Sequence, residues 1–353
     1  MSTLKISLFF ILFTSHVFAQ SVEQKIDSFL KTSHEKHPNI TMNVGFIQHD
    51  KVHHYSYGML SRDTRIPSNE NTLFEIASIT KVFTSHLIAQ AILEKKINSD
   101  DYIDDYLPKG YQLQNSLKET IRISDLASHQ SGLPDIDFRA LIKANPQQPT
   151  AHITRETLQQ IVNNCSQLID HGAYRYSTLG FVLLGEILET VYGKKYAQIL
   201  EEKIIRPVKM TRTFTTNYGV DNKITGYNPQ GGVQEFFTWN VVAPAGLVKS
   251  TSKDMISFLQ AVLSSEGKIA KAARVTEQTF YDKGGRQIGL AVNIINTHED
   301  TLYLKTGDNM GQSSILCYDK KNSWGLILFI NQSNGPLREE LFWQLHEIIH
   351  TSK

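Results

Sequence analysis

The stretch Leu73-Phe-Glu-Ile-Ala-Ser78-Ile-Thr-Lys81 sets a serine and a lysine three residues apart. Val82, Phe83, Leu87, Ile88, Ala91 and Ile92 follow at helical spacing. Positions i and i+3 share one face of a helix, so the Ser78 hydroxyl and the Lys81 amine can meet. A serine hydroxyl is a weak nucleophile until a base takes its proton. A lysine serves as that base only where its surroundings lower its pKa. A first-turn position also leaves backbone N–H groups free to face a developing oxyanion. Ser-x-x-Lys is a weak pattern by itself: it recurs at Ser2, Ser28, Ser33, Ser250 and Ser265. Ser78 is set apart by a later Lys305-Thr306-Gly307, which occurs once.

A chain of 353 residues is long enough to bury a full core as one large domain or two lobes. Its 36 basic and 35 acidic side chains are spread without long runs of one sign. That balance gives a nucleic-acid or anionic-membrane partner no electrostatic support. Lys5, the apolar run Ile6 to Phe13 and the small-residue site Val17-Phe18-Ala19 form a signal-peptide pattern over residues 1–19. Cleavage after Ala19 predicts a periplasmic or secreted protein. That apolar run is too short to span a bilayer, and no other segment is a candidate. Cys165 and Cys317 are the only cysteines, and two buried free thiols are expected.

A first helix is predicted over Ser21 to Lys36, then strands Ile40–Gln48 and Val52–Tyr57 joined at His49-Asp50-Lys51. The Ser78 helix ends near Lys95-Lys96. From about Asp100 to Val242 helical segments alternate with loops: Thr120–His129, Thr154–Cys165, Phe181–Tyr192 and Tyr196–Ile205. Thr251-x-x-Asp254 predicts a capping box opening a helix to Leu263. Strands Ile288–Ile295, Leu302–Lys305, Ser314–Tyr318 and Trp324–Ile330 follow with short turns, which favours an antiparallel sheet. Pro336 opens a last helix through Ile349. The predicted fold is therefore α/β of the α+β type. An antiparallel sheet is flanked by N- and C-terminal helices and built from both chain ends, residues 20–99 and 243–353. A mostly helical lobe, residues 100–242, is inserted between them, with a cleft where they meet.

His346-Glu347-Ile348-Ile349-His350 matches a helical zinc-protease motif. A catalytic zinc wants a third ligand, and Thr351, Ser352 and Lys353 offer none, so a surface histidine pair is expected. His53 and His54, adjacent on a strand, point to opposite faces. His129 is expected to satisfy a hydrogen bond. No metal or cofactor is called for.

With its ordered motifs in view, the chain resembles the serine β-lactamase and penicillin-binding family. It is most similar to class C β-lactamases and their D-alanyl-D-alanine carboxypeptidase and esterase relatives. The matching segments are Thr72 to Lys81, Ile123-Ser-Asp-Leu-Ala-Ser-His-Gln-Ser-Gly-Leu-Pro134, Tyr176-Ser-Thr178, Leu184 to Glu189 and Gly193. Ala245-Gly-Leu-Val-Lys-Ser-Thr251, Asp254 and Lys305-Thr-Gly307 complete the set. The resemblance implies a β-lactamase/transpeptidase-like fold and an acyl-enzyme on Ser78, with Lys81 as its proton partner. It implies that Tyr176, with Tyr174 as the neighbouring competitor, completes the proton relay. Lys305, Thr306, Gly307 and Thr178 would bind substrate, Lys305 taking its carboxylate and lowering the pKa of Lys81. The backbone N–H groups of Ser78 and Asp308 would form the oxyanion hole. The implied substrate is a small molecule or cell-wall peptide: a β-lactam or a D-alanyl-D-alanine-type amide. An esterase or D-amino-acid amidase on the same site is the alternative, and a non-catalytic peptidoglycan or β-lactam sensor the third. The chain departs from the family pattern at Thr178, where Asn is usual, and at His171-Gly172, where Pro-Gly is frequent. The Thr178 change bears on β-lactam turnover more than on acyl-enzyme formation, because threonine lacks the amide's donor–acceptor pair.

Overall fold

The computed structural model describes residues 20–216, 219 and 221–351. The leader expected over residues 1–19 lies outside them. Among the described residues, the main sheet has eight antiparallel strands. Lys51–Tyr57 forms one edge, followed across the sheet by Met42–Gln48, Trp324–Ile330, Ser313–Asp319 and Thr301–Asp308. Asn293–Asn296, Arg286–Ile288 and Tyr281–Lys283 complete the order. Both chain ends thus supply strands, with the N-terminal hairpin paired to Trp324–Ile330.

The two faces of the sheet follow from the two-residue period of a strand. Val44, Phe46, Leu302, Leu304, Leu326 and Leu328 meet the helices Val22–Lys36 and Gly335–His350 in one cluster. Ile47, Leu316, Tyr318, Ile327 and Phe329 point the other way, into the larger core. That core contains the helices Thr80–Leu93, Thr178–Tyr192 and Ser252–Leu263. On Thr301–Asp308 the alternation sends Leu302 and Leu304 to the first face and Lys305 and Gly307 to the second. One strand therefore anchors the terminal helices and presents a lysine towards the Ser78 helix.

The helix Thr80–Leu93 is buried from Thr80 through Ala91 on every side. Its apolar spacing marks it as helix, but enclosure all round is a property of the central element of a large core. Ser78 itself stands just before it, in the 3-10 turn Ala77–Ile79. Gly307 shows how closely the strand approaches this turn. A Cβ there would lie 2.4 Å from the Ile76 carbonyl oxygen and 2.6 Å from Ser314 Oγ.

Several segments differ from expectation. The run Ile288–Ile295 is two strands, interrupted where Ala291 takes φ +72°. The helix expected over Thr120–His129 is only Ile123–Ala127, because His129 turns left-handed at φ +64°. Tyr196–Ile205 begins as α-helix and widens into a π turn over Glu201–Ile205, just before Pro207. Thr251 does cap its helix, but the box is not reciprocal: the Asp254 carboxylate accepts from Arg212 N–H and Thr213 Oγ1 instead. The helices Phe138–Ala144 and Lys268–Thr276 and the edge strand Tyr281–Lys283 lie outside the elements that periodicity predicts. Cys165 and Cys317 are free and buried, as expected. No helix among the described residues is long and apolar enough to cross a membrane.

Gly307→Ala is expected to destabilise the fold by about 1–3 kcal/mol, the usual cost of overpacking against groups that cannot yield. A lowered urea midpoint with an unchanged slope is the measurement that checks it. An unchanged midpoint would show that the strand and the Ser78 turn are not in fixed contact.

Candidate active site

Ser78 is placed by an unusual backbone. Ala77, which precedes it, has φ +45°, a region that costs an alanine of order 1–3 kcal/mol. The turn lifts the Ser78 hydroxyl between two groups. Lys81 Nζ lies 3.1 Å from Ser78 Oγ, and the Tyr176 hydroxyl donates to the same oxygen at 2.7 Å. Lys81 also donates to the Ala245 carbonyl at 2.6 Å, which fixes the amine from behind. The i, i+3 reading of Ser78 and Lys81 therefore agrees with their geometry.

Lys81 is 1% exposed, and burial pulls its pKa down to about 7, with the charge of Asp135 opposing. The sequence reading assigns that lowering to a second ammonium; the cause is desolvation. Lys305 is lowered to about 8, first by burial, with Tyr176 opposing and Lys81 adding to the decrease. The two amines flank one aromatic ring: Lys81 Nζ is 5.1 Å and Lys305 Nζ 4.8 Å from the Tyr176 ring centre. Tyr174, the competitor, stands away from Ser78 and meets His129, Tyr281 and Arg286.

Tyr176 is aligned by the loop that carries His129. Its ring lies 4.5 Å from the His129 ring, and His129 Nδ1 accepts the Ser177 N–H at 3.1 Å. Burial, then Lys305 and Lys81, hold the His129 pKa well below its ordinary value, so the ring is neutral. His129 does satisfy a hydrogen bond, as expected, and it also supports the tyrosine. Ser177 caps the helix that begins at Thr178. Asp135 accepts from the Thr178 and Leu179 N–H groups, closing the same helix end with a carboxylate. The sequence signal for Asp135 was an acidic residue directly after the Ser-Gly-Leu-Pro turn.

A cavity of about 320 Å³ opens over these groups. Ser78, Lys81, Tyr176, Thr178 and Asp308 line it. Lys305, Thr306 and Gly307 do not: Lys305 stands beneath the Tyr176 ring, and Gly307 packs on the Ser78 turn. Much of the remaining wall is apolar, with Phe138, Ile142, Phe237, Val242, Leu247 and Met310. Phe138 and Ile142 come from the short helix Phe138–Ala144, which lies outside the predicted elements.

Behind the wall lies a buried pair that sequence reasoning also passes over. Glu75 and Lys249 face each other on the small ladder Phe74–Glu75 with Lys249–Ser250, and their charged groups are 3.7 Å apart. Burial pushes the Glu75 carboxyl up to about 7 against the pull of Lys249 and several hydrogen bonds. Burial likewise brings Lys249 down to about 8. Their signal was a charge inside each of two apolar motifs. Asp308 is held by Arg338 of the last helix. The histidines of the zinc-like motif are more engaged than a surface pair. His346 lies 3.3 Å and His350 3.0 Å from the buried Asp300 carboxylate, and the described residues hold no cluster fit for a metal ion. His53 meets Glu23, while His54 takes its charge environment from Glu70 and Lys253.

The fold, with a serine and a buried lysine at the base of a cavity, is that of the serine hydrolases of β-lactamase and transpeptidase type. The family profile described as Beta-lactamase matches residues 22–349, and the chain belongs to that family. "Protein flp" of Staphylococcus aureus (strain MW2) is 22% identical over 320 residues, 88% of this chain and 63% of the relative. The chain therefore spans under two thirds of that relative's length. A solved class C beta-lactamase superposes with TM-score 0.82 at 18% identity, covering 94% of this chain and 96% of the other. The Beta-Lactamase/D-Alanine Carboxypeptidase from Pseudomonas syringae superposes with TM-score 0.80 at 18% identity, covering 92% and 98%.

The buried Lys81 predicts a stability signature. Its folded pKa of about 7 lies below the unfolded value near 10.5, so burying the charge is unfavourable below pH 7. That cost fades as pH rises from 7 through 10.5, where the unfolded chain alone still binds the proton. Lys81→Met removes the effect. The stability difference between variant and parent is expected to shift in the parent's favour between about pH 6 and 10, measured by chemical denaturation. A constant difference would mean that Lys81 titrates normally.

Proposed function

We propose that this chain is an exported serine hydrolase that works through an acyl-enzyme on Ser78. The observation that carries it is the convergence of Lys81 and Tyr176 on one serine oxygen, at 3.1 and 2.7 Å. The Ser78 oxygen attacks the substrate carbonyl carbon and its proton passes to the neutral Lys81 amine. The carbonyl oxygen becomes an oxyanion received by the N–H groups of Ser78 and Asp308. Tyr176 delivers a proton to the leaving nitrogen as the C–N bond breaks. Water then attacks the Ser78 ester, giving its proton back through Tyr176 and Lys81. The product acid leaves, and the serine is restored.

The substrate is an amide beside a carboxylate, a β-lactam or a D-alanyl-D-alanine-type peptide. The positive charge of Lys305 supports this: the ammonium stands outside the cavity lining but 4.8 Å from the Tyr176 ring that forms part of it, so it favours an anionic substrate through its field rather than by contact. Residues 20–353 act as one catalytic unit, with 1–19 as the export signal. The apolar wall of Phe138, Ile142, Phe237, Val242 and Leu247 favours a second reading, an esterase or amidase for substrates with a large apolar acyl group. Thr178 in place of the family's usual Asn leans the same way.

Intact-protein mass spectrometry with a penicillin, sampled from seconds to hours, tests the proposal. A covalent adduct is expected on the parent and none on Ser78→Ala. A lasting adduct points to cell-wall peptides, and a transient one with loss of free penicillin to a β-lactamase. Penicillin held non-covalently by both proteins would support a sensor instead. No adduct on the parent, with aryl esters or D-amino-acid amides still hydrolysed, would move the substrate class to the second reading. Tyr176→Phe is expected to lower turnover of the working substrate by about 10²–10⁴-fold, the usual share of a positioned acid–base group.

A further inference from the structure

Glu75 lies three residues before Ser78 and is 3% exposed. Its two carboxylate oxygens are divided between two separate segments of the cavity wall. One accepts the Phe237 N–H at 2.7 Å, and the other accepts Asn309 Nδ2 at 2.6 Å. Lys249 reinforces the first segment: its Nζ donates to the Phe237 carbonyl at 2.6 Å and to the Leu247 carbonyl at 2.9 Å. Phe237, Leu247 and Asn309 all line the cavity over Ser78. The Glu75 backbone joins the same arrangement, its N–H donating to Gln312 Oε1 at 2.9 Å.

Asn309 has no freedom to answer a change at Glu75. Its Oδ1 already accepts the N–H groups of Gly311 and Gln312, at 2.9 and 2.7 Å. Its Nδ2 must therefore find an acceptor, and Glu75 is that acceptor. A buried ion pair is seldom the cheapest way to stabilise a core, since apolar residues of similar volume often do as well or better. Here the pair's side-chain hydrogen bonds run to Phe237, Leu247 and Asn309, which all line the site.

We propose that Glu75, braced by Lys249, is a positioning residue that fixes the Asn309 loop and the Phe237 wall relative to Ser78, and so sets how tightly substrate is held. This rests on reading the cavity as the substrate site. Glu75 touches no substrate; it acts through Asn309 and Phe237. The expected defect on its loss is in binding, with the Ser78, Lys81 and Tyr176 geometry retained, since the hydrogen bonds that fix those side chains do not run through Glu75.

The test uses the donor–acceptor logic of the contact. Glu75→Gln cannot serve both segments, because its amide N–H₂ would face either Asn309 Nδ2 or the Phe237 N–H. Asn309→Asp alone sets two carboxylates against each other once Glu75, with its pKa of about 7, is ionised, so all variants are compared above pH 8. The double variant Glu75→Gln/Asn309→Asp restores a donor to an acceptor, and the second oxygen of the introduced carboxylate still receives the Gly311 and Gln312 N–H groups. Steady-state kinetics on the substrate established for the parent should show KM raised about tenfold or more in each single variant. The change in kcat should be smaller, and most of the KM loss should be recovered in the double. A stability defect alone would lower the active fraction and leave KM unchanged, which would overturn the proposal. Equal losses in both singles and the double would overturn it as well. Amide hydrogen exchange over residues 308–312 is read in parallel. Protection should fall in Glu75→Gln and return in the double. Should the parent hydrolyse nothing, the proposed function fails while this exchange pattern still decides the positioning role, unchanged protection counting against it.

Discussion

The burial of one lysine beside one serine is the constraint on which this molecule depends. A lysine in water, with pKa near 10.4, is neutral in roughly one molecule in a few thousand at pH 7. Enclosed by the Ser78 helix and the Ala245 carbonyl, Lys81 is brought to about 7, so that half of it can accept a proton. Among the described residues no carboxylate pairs with it at contact distance; the charge that acts on it, Asp135, is occupied in closing the helix that starts at Thr178. An ion pair would have secured the ammonium and left no neutral amine beside Ser78. The fold therefore carries an uncompensated buried amine, which costs stability, and the central helix must be enclosed on all sides to keep water from it.

The sheet serves this end. Its strand Thr301–Asp308 runs beside the Ser78 turn so closely that only glycine fits at position 307. That approach puts Lys305 under the Tyr176 ring and Asp308 at the edge of the cavity. Tyr176 is thus bracketed by two amines, with a neutral His129 ring against it. A third cation at His129 would add repulsion to a site that already holds two, and burial prevents it. The Glu75–Lys249 pair lies one layer further back and connects the same strand's loop with the Phe237 segment.

Much of this was legible in the chain. A continuous apolar run, the mark of a strand covered on both faces, gave the strand Trp324–Ile330 at both of its ends, and Gly193 marked the end of the helix that Ser177 begins. Ser78 and Lys81 were singled out by spacing, and Tyr176 and Lys305 by the family resemblance; the structure gathers the four around the Tyr176 side chain. What escaped were features set by contacts between distant segments. The helix Phe138–Ala144 is only seven residues long: Phe138, Leu141 and Ile142 have helical spacing, but so short a stripe between loops was passed over, though Phe138 and Ile142 form cavity wall. Glu75 and Lys249 stood inside quoted motifs, but no local rule pairs residues so far apart. The cause of the Lys81 shift was misassigned to Lys305, because sequence shows which charges exist and not how deeply a group is buried. Asp254 illustrates the same limit: spacing suggested a reciprocal cap, whereas the tertiary partners Arg212 and Thr213 take its carboxylate.

The most direct test of the central claim is the pH dependence of covalent labelling at Ser78. A small fluorophosphonate forms a Ser78–phosphorus bond with loss of fluoride, and needs no substrate-specific contact. The labelling rate is measured from about pH 5 to 10 by mass spectrometry, with the modified residue mapped by peptide analysis. A buried Lys81 base predicts labelling confined to Ser78, with a rate that rises with pH and has its midpoint at about 7. Labelling spread over several serines, or a rate that climbs only above about pH 9, would contradict it.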